Sequence, residues 1–258
     1  MALQTLNQGL LNSITSNKGV LAGEAGYSAN AVTFSSGDND ILNRGSDLTG
    51  SADGKEGLLS LWFLTTDSGI AHVLNSTSNR VSCAFNVGGS GSFIVLLRNS
   101  SGTTIGSFVT NTDGWNDSAW HHIMISWNLA TSAAHLYVDN SENLTETTNT
   151  DDTIEYTNAE WTIGGTVAGP SHNYEGDLAD YLFNDAYIDL SVAGNRAKFI
   201  DASTLKPVDI GAGGIDALGE TALICFQNPT STWHTNTGDG GGFTLTGALG
   251  TASSSPSD

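Results

Sequence analysis

From about residue 31 the apolar positions arrive in short, evenly spaced runs. "NAVTFSSGDNDIL" predicts a short strand, a Gly-Asp turn and a second strand start. "GLLSLWFLTT" is a near-continuous apolar run of strand length, which predicts cover on both faces. "IAHVLN", "RVSCAFNVG", "SFIVLLRN" and "TTIGSFVTN" follow, each bounded by Gly, Ser or Asn clusters. Short strands at this spacing predict an all-β fold, a two-sheet antiparallel sandwich of the jelly-roll kind.

The stretch "AWHHIMISWNL" alternates strictly. Trp120, His122, Met124 and Ser126 fall on one side, and His121, Ile123, Ile125 and Trp127 on the other. "NLATSA" then predicts a turn, "AHLYVDN" a partner strand, and Asp139-Asn140 its closing turn. A strand pleat sends adjacent histidines to opposite faces, so His121 and His122 are expected to be architectural rather than joint ligands of one metal.

Further along, "DDTIEYTNAEWTIGG" predicts a strand pair, and "YEGDLADYLFND", "TALICFQN" and "GGFTLTGAL" predict single strands. "SVAGNRAKFIDAS" is the one helix-like piece, near 191–201, with Ser191 placed to cap it and Arg196 and Lys198 on its polar side. Residues 1–30 have only a weak apolar rhythm and are expected to form an extended, partner-docked arm. The sandwich with its C-terminal additions then occupies 31–249, and the Ser-rich 250–258 is expected to be a flexible tail.

Composition narrows the function classes. Charged residues are 14% of the chain, and 27 acidic against 8 basic residues give a net charge of −19. So few cations cannot build a phosphate-neutralising stripe, which argues against nucleic acid, and the acidity disfavours anionic membranes. The first residues show no basic n-region and no sustained apolar core, so neither a signal peptide nor a membrane span is expected. Cys83 and Cys225 sit among apolar neighbours as small hydrophobes, with a long-range disulfide between them left open.

"WHHI", a polar turn, "LYVDN" and then "EGDLADYLFND" resemble the signature of concanavalin A-like sandwich domains of the laminin-G and pentraxin type. The likeness covers roughly residues 31–185 and speaks for the fold; this sandwich hosts lectins, glycanases and purely structural modules. A narrower resemblance runs through "VTFSSGDNDILNRGSDLTGSADGKEGLLSLWF", "DLSVAGNRAKFIDASTLKPVDIGAGG" and "GGGFTLTGALGTASSSPSD". These stretches look like laminin-G-like proteins encoded by tailed bacteriophages and prophages. That resemblance implies a non-enzymatic virion structural protein on the particle exterior, a capsid decoration or cement or a tail-appendage component. Its partners would be other virion proteins and further copies of itself as a homo-oligomer. The alternative is a carbohydrate-binding module for host-surface glycans.

Sandwich glycanases of this superfamily usually carry Glu-x-Asp-x-x-Glu on one strand, whose alternation aligns the carboxylates on one face. The chain has no such triplet; Asp151, Asp152 and Glu155 in "DDTIEY" divide between faces and start as a turn. The resemblance also implies calcium held by loop oxygens. Candidates are Asp38 and Asp40 in "SGDNDI", Asp113 and Asp117 in "TDGWNDS", and Asp177 and Asp180 in "GDLAD", though an Asx turn or an exposed carboxylate accounts for each more readily. A sugar platform calls for exposed aromatics, and Trp115 and the pair Trp233-His234 occupy polar, loop-like contexts. The same tryptophans suit a subunit interface. Trp62, Trp120, Trp127 and Trp161 lie in strand-like runs and are expected in the core.

Overall fold

A computed structural model describes residues 26–86, 91–167 and 172–258. The expected arm at 1–30 lies outside the described residues except for 26–30. Two antiparallel eight-stranded sheets stack as a sandwich. Sheet A runs through β10 (Ser141–Glu142), β9 (Ala133–Val138), β8 (His121–Asn128), β3 (Glu56–Thr65), β13 (Gly176–Asn184), β1 (Ala31–Phe34) and β16 (Gly250–Thr251), with β14 (Ile224–Phe226) also on β13. Sheet B runs through β11 (Leu144–Asn149), β7 (Thr104–Thr110), β6 (Phe93–Arg98), β5 (Val81–Phe85), β4 (Ala71–Ser76), β12 (Trp161–Ile163), β2 (Ile41–Arg44) and β15 (Thr244–Thr246).

Strand alternation sorts the side chains into two cores. Leu59, Leu61 and Phe63 of β3 and Ile123, Ile125 and Trp127 of β8 join Val81, Cys83, Phe85, Val95 and Leu97 of sheet B in the inter-sheet core. Leu58, Trp62, Met124, Tyr137, Ala179 and Leu182 face the other way and meet Leu190, Phe199, Ile200, Ile210 and Ala217. The segment that follows β13 therefore forms a third layer over sheet A, which explains the near-continuous apolar run of β3. Burial of each large apolar side chain contributes about 1.5–3 kcal/mol, so the outer layer stabilises sheet A substantially.

The β8–β9 hairpin forms as its pattern predicts, with Ile125 opposite Leu136. Asp139 and Asn140 adopt φ of 47° and 62°, the left-handed pair that a two-residue turn into β10 requires. Several expectations change. The helix shrinks to α1 (Ala193–Arg196), and Ser191 does not cap it because Val192 holds the N-cap position; the Ser191 hydroxyl instead donates to Asp189 Oδ1 at 2.5 Å. Arg196 turns inward, 4.3 Å over the Tyr137 ring, and fastens this turn to sheet A. A second helical turn, α2 (Ile215–Leu218), was not expected.

Of the strand pair foreseen in "DDTIEYTNAEWTIGG", only β12 forms; Ile154 makes a single bridge to Gly54. The tail makes contacts with the sandwich. Thr251 pairs with Val32, Ser257 Oγ accepts from Ala29 N at 2.9 Å, and Ser254 Oγ accepts from Trp120 Nε1 at 3.0 Å. Its serines find partners on Ala29 and on Trp120 just before β8, which a Ser-rich composition does not reveal.

Candidate functional site

His122 and His121 do part across the sheet. His122 is buried with Nε2 2.9 Å from Ser60 Oγ, its ring lies 4.8 Å from Trp62, and burial lowers its pKa to about 3. His121 sits between two carboxylates, Nδ1 2.7 Å from Asp139 Oδ2 and Nε2 3.1 Å from Asp117 Oδ1. Burial works to lower the His121 pKa, but the hydrogen bonds and charges of Asp139 and Asp117 outweigh it and the net shift is upward. This triad ties the loop before β8 to the β9–β10 turn.

The six candidate aspartates scatter. Asp40 is buried and accepts backbone N–H groups, Ser35 on Oδ2 at 2.9 Å and Ala248 on Oδ1 at 2.7 Å. Asp38 and Asp113 are exposed. Asp117 accepts from Ala119 N at 2.9 Å, an Asx turn. Asp177 Oδ1 accepts from Thr33 Oγ1 at 2.6 Å. Asp180 is buried at a bulge, where β13 spends one more residue than β3 between Ala179–Trp62 and Leu182–Ser60. Its φ is 42°, and Oδ1 accepts from the Tyr27 hydroxyl at 2.7 Å. Among the described residues, no three His, Cys, Asp or Glu side chains gather as a metal-binding group. Asp40, Asp117, Asp177 and Asp180 instead accept from backbone, imidazole or hydroxyl donors.

The aromatic candidates fare unequally. Trp115 packs partly against the inter-sheet core, donates from Nε1 to Thr112 O at 3.0 Å, and meets His121 edge-on at 5.1 Å. Trp233 is fully buried, stacked on Phe226 at 5.2 Å and edge-on to Phe34 at 6.0 Å. The expectation of an exposed Trp233 platform is therefore corrected: a 3-10 turn at Thr230–Thr232 drives the ring under the sandwich rim while His234 stays half-buried at the surface. Trp62, Trp127 and Trp161 are buried as expected, and Trp120 packs partly buried under the third layer.

One polar concavity was not singled out in the sequence. A cavity of about 310 Å³ is lined by His72, Asn75, Ser78, Asn79, Thr166, Val167 and His172. β4 turns Ala71, Val73 and Leu74 inward, so His72 and Asn75 look out from the exterior face of sheet B, opposite Ala84 and Ser82 of β5. The His72 N–H donates to His172 O at 3.0 Å, and the two rings lie 5.8 Å apart, edge to face. Asn75 Nδ2 donates to Asn79 Oδ1 at 2.7 Å. Burial, with the charge of His172 behind it, lowers the His72 pKa to about 4, so this imidazole is neutral near pH 7. Polar His72 and Asn75 within "IAHVLN" were the available signal, but their partner His172 lies a hundred residues on.

A family model described as the Concanavalin A-like lectin/glucanases superfamily matches residues 27–187, more than half of the chain. The chain belongs to that superfamily. No curated protein matches its sequence. Among solved structures it is similar to a protein from Bacteroides ovatus thought to bind carbohydrate, at 10% identity and a TM-score of 0.57, over 89% of this chain and 62% of that one. It is also similar to a heptameric SAP-like pentraxin from Limulus polyphemus, at 13% identity and a TM-score of 0.47, over 65% of this chain and 81% of that one. At such identities the likeness is one of fold. This superfamily member spans less than two thirds of the Bacteroides protein.

Proposed function

We propose that the chain is a non-enzymatic structural module of a tailed-phage or prophage particle, anchored through one face of its sandwich and displaying the other. The observation that carries this is the placement of the ends. Residues 26–31 and 250–258 lie side by side, with Ala29, Ala31 and Ala252 in the layer outside sheet A. The polar cavity opens on the far face, outside sheet B. Contacts made by the terminal segments with shell or tail proteins, or with further copies of the chain, would leave that face outward. A net charge of −19 suits an outer surface better than one facing packaged DNA. The phage setting is supported by the resemblance of "VTFSSGDNDIL", "RAKFIDASTLKPVDIGAGG" and the C-terminal stretch to virion proteins.

Deleting residues 1–25 is expected to abolish incorporation into particles while the sandwich keeps its thermal transition. Immunogold labelling of purified particles reads the first effect. Undiminished labelling would end the anchoring reading.

A second reading, glycan binding, is favoured by the cavity itself. Carboxamides and neutral imidazole offer both donors and acceptors to sugar hydroxyls, and no carboxylate pair is among the described lining. Saturable binding on a glycan array, lost in Asn79→Ala and kept in Trp115→Ala, would support it. Binding that follows Trp115 instead would move the site to the rim near His121.

A further inference from the structure

We infer that His72 and His172 form a binding site for a divalent transition-metal ion on the exterior face of sheet B. The inference stands whether or not a sugar occupies the same cavity.

Geometry comes first. An imidazole nitrogen about 2.0–2.1 Å from an ion puts the ring centre about 3.2 Å from it, so two ligating rings have centres about 4.5 Å apart at a right angle and about 6.4 Å apart in line. The observed 5.8 Å falls inside that span. The spacing is held by the backbone, through the hydrogen bond from His72 N to His172 O at 3.0 Å. His172 is held at φ of 62°, a left-handed conformation that a non-glycine residue adopts at some cost and that often marks a functional position.

Chemistry agrees. His72 Nδ1 is buried and makes no hydrogen bond, so the ring has unused capacity. Imidazole suits zinc, copper and nickel, whereas calcium prefers six to eight oxygens with carboxylates among them, and the described lining holds two imidazoles and no carboxylate. Two protein ligands leave coordination positions for water or for oxygens of a bound molecule. The cavity of about 310 Å³ has room for them.

The test uses the full chain stripped of metal and titrated calorimetrically with Ni²⁺ alone, then with Ca²⁺. One equivalent of Ni²⁺ is expected to bind, with no heat from Ca²⁺ at this site. His72→Ala and His172→Ala should each weaken binding by roughly tenfold or more. His135→Ala and His234→Ala should leave it unchanged. Should either pocket variant unfold, the spectrum of Cu²⁺ on the unaltered chain decides. Paramagnetic resonance with hyperfine coupling to two imidazole nitrogens supports the site, and coupling to one or none overturns it. Absent Ni²⁺ binding, or binding that survives in His72→Ala and His172→Ala, overturns it as well.

Discussion

Trp233 stacks on Phe226 with no part of its ring exposed, so Trp233→Ala is expected to remove about 3–5 kcal/mol of stability rather than a binding platform. Urea unfolding of the variant measures this directly; near-native stability would show that the ring is dispensable to the rim. Asp180 supports a second residue-scale prediction. Burial raises its pKa from 3.8 to about 7, although the Tyr27 hydroxyl bond opposes the shift. Between those values the folded chain keeps a proton that the unfolded chain has released, so stability falls as pH rises from 3.8 towards 7 and stays lower above it. His121, raised above 6.5 by Asp139 and Asp117 against its own burial, extends the fall to higher pH, since its stabilising charge is present below 6.5 and lost above the folded value. Asp180→Asn should flatten the decline across the lower window while leaving the His121 part, as read from unfolding midpoints between pH 4.5 and 8.5. At this scale the opposite facing of His121 and His122 was legible, because a pleat alternates whatever surrounds it. The depth of Trp233 was not, because a polar flanking sequence cannot show that a turn folds its one large ring inward.

Strands with an apolar face were legible as elements: β3 to β9 and β13 match their sequence patterns closely. β11 was missed because its residues are mostly exposed and polar; it exists by pairing with β7, and a sheet edge needs no apolar stripe. The helix was over-read. Gly194 and a cap position held by Val192 rather than Ser191 leave one turn, and packing of Arg196 on Tyr137 holds it. The tail makes contacts that its composition does not announce. Removing residues 252–258 is expected to uncover Trp120 and free Ala29 from Ser255 and Ser257, lowering the melting temperature and shifting tryptophan emission to the red. An unchanged spectrum and melting point would mean that the tail rides on the sandwich without supporting it.

Over the whole molecule, the three layers keep the cysteines apart. Cys83 lies in the inter-sheet core and Cys225 in the outer cluster, both free and buried. Burial pushes the Cys83 thiol well above its usual range and the Cys225 thiol up to about 11. A thiol reagent at neutral pH should therefore modify neither until denaturant is added and then both; fast reaction of the native chain would show an opening of the third layer. An all-β architecture was determined by sequence alone, because alternation and turn chemistry are local and survive in any context; the family was carried by the likeness of "WHHI", "LYVDN" and "EGDLADYLFND". Tertiary structure decided what covers sheet A, which tryptophan is accessible, and which polar residues meet. Those depend on contacts between positions far apart in the chain, as with His72 and His172, and local periodicity carries no information about them.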